Sequence, residues 1–126
     1  MVEDDEPTRE SALFKLKKAG FKMDFAEDGQ IGLEKLRQNG PFDVVLLDLR
    51  MPKGDGFSFL EQKKDDPKVK DVPVIVFTNL NQKEFVKRAI DLGAKGYLVK
   101  SNHSLDDIIN ELNVCLKGEG CQVDFN

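Results

Sequence analysis

At 126 residues the chain is long enough for one domain with a three-layer core, and no second module is expected beside it. Its formal charge of −4, from 19 basic and 23 acidic side chains, supplies no basic stripe to release counterions, which argues against nucleic acid and for a protein partner or a small anion. An acidic start, and no stretch near the roughly 20 apolar residues of a membrane span, lead to the expectation of a cytoplasmic protein outside the membrane, with Cys115 and Cys121 as reduced thiols.

Glu6-Pro7-Thr8, then Leu13, Leu16 and Ala19, read as a helix with one apolar face that stops at Gly20. Phe21 to Ala26 reads as a short strand. Asp28-Gly29 leads into a second helix, carrying Ile31, Leu33 and Leu36, which Asn39-Gly40 ends. Val44 to Leu47 lack the alternation of a half-solvated strand, so they form a parallel strand buried on both faces, with Asp48 at its carboxyl end. Pro52, Gly54 and Gly56 then break regular structure and leave the Asp48 carboxylate at the base of a loop. A helix from about Phe57 to Asp65 follows, and Pro73 to Thr78 is another buried strand. Asn81 is expected to cap a helix with Phe85, Val86, Ala89 and Ile90, which Gly93 closes. Tyr97 to Lys100 is the last strand. Ser104 caps a final helix with Leu105, Ile108, Leu112 and Leu116 at helical spacing, and His103 before it is a loop residue with no relay role.

Strands alternating with helices across short links imply a doubly wound parallel sheet in a three-layer α/β/α sandwich, with right-handed crossovers. Every strand then delivers its last residue to one edge, so Glu3, Asp4, Asp48, Thr78 and Lys100 should converge there. Acids held within about 5 Å repel by roughly 3 kcal/mol per pair at an effective dielectric near 20, and the cluster calls for a counter-charge. An oxygen-seeking dication such as Mg²⁺ supplies it, and Lys100 adds a mobile one. Taken singly these residues have ordinary readings: Asp48 caps a strand, Tyr97 is a partly buried aromatic, and Lys100 reaches for water. Their convergence sets them apart.

Val2-Glu3-Asp4-Asp5, Asp48 with Met51-Pro52 and Asp55-Gly56, Thr78, and Gly96-Tyr97-Leu98-Val99-Lys100 together resemble the receiver domain of two-component response regulators. The similarity covers nearly the whole chain and is closest in kind to the single-domain receivers of chemotaxis. It implies a flavodoxin-like fold and a phosphoacceptor role for Asp48. It further implies that Asp4 binds Mg²⁺ directly, Glu3 through water, and Arg50 through its backbone carbonyl. Lys100 would hold the phosphoryl oxygens, Thr78 would turn its hydroxyl to the phosphoryl group, and Tyr97 would move inward behind it. A sensor histidine kinase or phosphotransfer protein would be the donor and a separate protein the target, so the chain is expected to act as a phosphoacceptor assisting its own chemistry and not as an enzyme.

Three features depart from that pattern. Ser101 stands where the family usually has proline after the lysine, which leaves open whether the Lys100–Ser101 peptide is cis. Arg50 and Asn79 place large polar side chains beside the site. The first strand is truncated to Met1-Val2, which is not expected to restore the sheet by itself. The domain is read as residues 1–117, with 118–126 as a tail in which residues from about 121 to 125 alternate as a strand would, within the chain or across a homodimer. A pseudo-receiver that binds partners without phosphorylation is the rival reading. An aspartyl phosphatase is the weaker one, since Arg50 occupies the place of its general acid.

Overall fold

Residues 1–50 and 55–116 are described by the computed structural model of the protein. Three aspartates start helices in the same way, each carboxylate taking the backbone N–H three residues on and so satisfying a donor that the first turn leaves open. Asp5 takes Thr8 at 3.0 Å, Asp28 takes Ile31 at 2.9 Å and Asp55 takes Ser58 at 2.7 Å. They open α1 (Glu6–Lys18), α2 (Gly29–Gln38) and α3 (Gly56–Lys64). The next helix, α4 (Lys83–Asp91), starts after Gln82 with no side-chain cap, so the cap expected at Asn81 does not form. In α5 (Leu105–Leu116) the Ser104 hydroxyl accepts the Asp107 N–H at 3.2 Å while the Asp107 carboxylate accepts the Ser104 N–H at 3.0 Å, a reciprocal box. Gly20 and Gly93, at φ 100° and 102°, end α1 and α4 in the left-handed region where a Cβ would be strained.

Among the described residues three parallel strands lie between the helices, β1 (Val45–Leu47), β2 (Val74–Thr78) and β3 (Gly96–Val99), in the order β1-β2-β3. Leu46 stands beside Ile75, and Thr78 beside Val99. Because side chains alternate across a strand, each apolar run feeds two cores. Val45, Leu47, Val74, Val76, Tyr97 and Val99 face α2, α3 and α4, whereas Leu46, Ile75, Phe77 and Leu98 face α1 and α5. The result is the expected doubly wound three-layer sandwich.

The start of the chain occupies the place beside β1. Val2 donates to the Leu46 carbonyl (2.8 Å) and accepts from Asp48 (3.0 Å), while Glu3 donates to Ala26 (3.0 Å) and Ala26 to Met1 (2.8 Å). Met1 to Glu3 therefore close the sheet where it meets the carboxyl edge, which the expectation for Met1-Val2 had not allowed. Toward the other edge the pairing stops, and a cavity of about 350 Å³ is lined by Leu16, Phe21, Met23, Val44, Leu46 and Leu112. With only Met1 to Glu3 alongside it, Phe21 to Ala26 makes a bridge at Ala26 and no strand.

The strand expected near residues 121 to 125 lies outside the described residues. Cys115 is disulfide-bonded, which corrects the expectation of a reduced thiol there. Among the described residues no helix is long and apolar enough to cross a membrane.

Candidate functional site

Each functional side chain reaches the carboxyl edge from a different element. β1 ends at Asp48, which is 6 % exposed, and Gly56 at the start of α3 packs against it: a Cβ there would meet the Asp48 carbonyl oxygen at 2.5 Å and the Leu49 Cα at 2.6 Å. Only glycine lets the helix start so close to the strand end. The short pairing of Val2 delivers Glu3, buried, and Asp4, exposed, to the same edge. Carboxylate oxygens of Glu3, Asp4 and Asp48 all lie within 4.8 Å of one another.

Lys100 follows β3 in a short 3₁₀ turn (Lys100–Asn102) and turns its ammonium into this cluster. Its Nζ lies 2.8 Å from Glu3 Oε2 and 3.3 Å from Asp48 Oδ2. Among the described residues the one cis peptide precedes Pro41, so Lys100–Ser101 is trans and the lysine still reaches both acids. Asp48 Oδ1 accepts the Arg50 N–H at 3.3 Å, and Glu3 Oε1 accepts the Asp5 N–H at 3.2 Å. Burial pushes the Glu3 carboxyl above the usual range, against the pull of the Lys100 hydrogen bond. For Lys100 burial alone would lower the ammonium's affinity for its proton, but the bond to Glu3 and the charge of Asp48 outweigh it and hold the group above its ordinary value.

Thr78 and Tyr97 meet at the backbone of Leu80. Thr78, fully buried at the end of β2, accepts the Leu80 N–H at 3.4 Å. Tyr97, also fully buried, already lies inward, its hydroxyl donating to the Leu80 carbonyl at 2.6 Å. One peptide-bearing residue thus holds both. Burial, with the Asp48 charge adding to it, pushes the Tyr97 phenol up to about 12.

The structure brings together Glu3, Asp4, Asp48 and Lys100 as the sequence placed them, with Arg50 adjoining. Two contributors were missed. Leu80 acts through its backbone, for which sequence carries no signal. Arg9, 7 % exposed, donates to the Glu3 carbonyl at 3.1 Å; its place at the spacing 9, 12, 13, 16 on the buried face of α1 was a legible signal.

All the donors are hard oxygens, and three carboxylates facing one ammonium leave two formal negative charges, which fits a dication such as Mg²⁺. A buried carboxylate at a strand end, flanked by an ammonium and a dication site, can accept an electrophile whose own oxygens are anionic.

Comparison with known proteins agrees with this geometry. The sequence profile described as "Response regulator receiver domain" matches residues 1–113. The chain is 39% identical over 101 residues to the gliding motility regulatory protein of Myxococcus xanthus, covering 79% of this chain and 13% of that one. It is 34% identical over 100 residues to the phosphate regulon transcriptional regulatory protein of Escherichia coli K12, covering 79% of this chain and 43% of that one. The chain thus spans less than half the length of either relative. Among solved structures, the receiver domain of the Francisella response regulator 1452 superposes with a TM-score of 0.83 at 26% identity, with 94% of each chain covered.

Proposed function

Since the chain belongs to the response regulator receiver domain family, we propose that it signals by accepting one phosphoryl group on Asp48 from a phosphohistidine of a sensor kinase or phosphotransfer protein. The observation that carries this is the meeting of Glu3, Asp4, Asp48 and Lys100 at one edge, retained although the first strand is short. That retention also weighs against a pseudo-receiver.

The reaction is a displacement in line. An oxygen of the Asp48 carboxylate attacks phosphorus, the P–N bond of the donor breaks, and the imidazole nitrogen leaves with the bonding pair. Asp4 and Asp48, with the Arg50 carbonyl, would hold Mg²⁺ directly and Glu3 through water. Held there, Mg²⁺ would supply positive charge to offset the phosphoryl oxygens. Lys100, now shared between Glu3 and Asp48, swings its ammonium onto another phosphoryl oxygen. Thr78 reaches the phosphoryl group by giving up the Leu80 N–H. Because the Leu80 carbonyl also holds Tyr97, moving that residue links the acid cluster to β3 and the surface that α4 and α5 flank. The chain is in this reading a phosphoacceptor and not a turnover enzyme, and its target is a separate protein or a linked effector. A relative named as a transcriptional regulatory protein removes the support for excluding nucleic acid from its partners.

Incubation with acetyl phosphate and Mg²⁺, followed by intact-mass measurement, should add one phosphoryl group to the native chain and none to Asp48→Asn. Equal incorporation in that variant overturns the assignment. No incorporation into the native chain, with or without Mg²⁺, returns the pseudo-receiver.

A further inference from the structure

Arg9 is a buried cation that the phosphoacceptor chemistry does not use. Its Nη1 donates to the Glu3 carbonyl at 3.1 Å, its guanidinium carbon lies 4.9 Å from the centre of the Phe25 ring, and its Nε is buried with no hydrogen-bond partner. An orphaned donor on a desolvated charge is costly, so the side chain is held there by what its other nitrogen does.

The Glu3 carbonyl belongs to the peptide that joins Glu3 to Asp4. Holding that peptide plane restricts ψ of Glu3 and φ of Asp4 together, and these two angles aim the Asp4 carboxylate. Among the described residues no hydrogen bond holds that carboxylate itself, and Asp4 is the exposed member of the cluster. Its neighbours are all fixed: Glu3 Oε1 accepts the Asp5 N–H, and Asp5 caps α1. We propose that Arg9 is a positioning residue for the dication site, its guanidinium clamping the Glu3–Asp4 peptide so that Asp4 is presented to the ion beside Asp48. Phe25 supports the clamp. Its ring carries the guanidinium while the Lys35 ammonium, 5.0 Å from the same ring, donates to the Phe25 carbonyl at 2.6 Å and keeps the ring in place.

The inference rests on the dication reading of the cluster, and the test separates the two. Mn²⁺ binding is measured by electron paramagnetic resonance on the full chain, with melting in chelator as the measure of fold. Native protein should bind Mn²⁺, and Asp4→Asn should lose it. Arg9→Met, which keeps the apolar stem, should weaken binding about tenfold to a hundredfold, the usual effect of removing a group that orients a metal ligand. Arg9→Lys, which restores one donor without the planar fork, should recover part of the affinity. A side chain that serves the fold alone would lower the melting temperature in chelator and leave the Mn²⁺ affinity of folded protein unchanged. Should Arg9→Met lose its cooperative melt, Arg9→Lys decides: several-fold weaker binding supports the clamp and native affinity overturns it. Native protein that binds no Mn²⁺ overturns both readings. Binding lost in Asp4→Asn but within twofold of native in Arg9→Met overturns the clamp alone.

Discussion

Lys100 answers to two carboxylates at once, and that geometry was legible in the sequence because an apolar run ending in a cation can only present it at the edge where the neighbouring runs end in acids. The Thr78 rotamer and the inward Tyr97 were not legible, since both are set by the backbone of Leu80, whose placement depends on the path of a loop. Tyr97 offers a direct check on burial, being the sole tyrosine in a chain without tryptophan. Near-ultraviolet absorbance should show its phenol titrating near 12 in the folded protein and near the ordinary 10 in urea. The native state then keeps a proton that the unfolded state has released between those values. Stability should therefore be intact below about pH 10 and decline as pH rises toward 12. A folded-state midpoint at the ordinary value would count against the buried position.

Helices proved easier to read than the strand beside them. Asp5, Asp28 and Ser104 cap by local hydrogen bonds that depend on a few successive residues, whereas Phe21 to Ala26 needed a ladder partner of its own length and found three residues, Met1 to Glu3. Local chemistry could not report that. The junction of β1 with α3 is a second case where contact distance decides. Gly56 was read as a breaker of regular structure, but it starts a helix, and its lack of a side chain allows the backbone of that helix to touch the Asp48 carbonyl. Gly56→Ala should cost about 1 to 3 kcal/mol through overpacking against rigid backbone. It should also slow phosphoryl uptake at Asp48, measured by intact mass against time. A variant with native melting and native uptake would show that the junction yields more readily than its distances indicate.

Across the whole molecule, the two apolar cores and the acidic edge were accessible from pattern alone, because continuous apolar strands between amphipathic helices admit few other arrangements. The site as a unit should make stability depend on a dication. At ten times its Kd, Mg²⁺ should add about 1.4 kcal/mol by binding only the native cluster, roughly 3 to 6 °C in melting temperature for a domain of this size. Asp4→Asn should remove most of that gain, and a native melt indifferent to Mg²⁺ would speak against a formed site. The pair that completes the cluster, Glu3 with Lys100, joins residues 97 positions apart in the chain. Glu3 precedes β1 and Lys100 follows β3, so the pair forms only when both have docked on the same sheet edge. A fragment cut before β3 keeps Glu3, Asp4 and Asp48 but lacks the ammonium that offsets their repulsion. The cluster is therefore complete only in the whole sheet, and its balance of charge reports that β3 has docked.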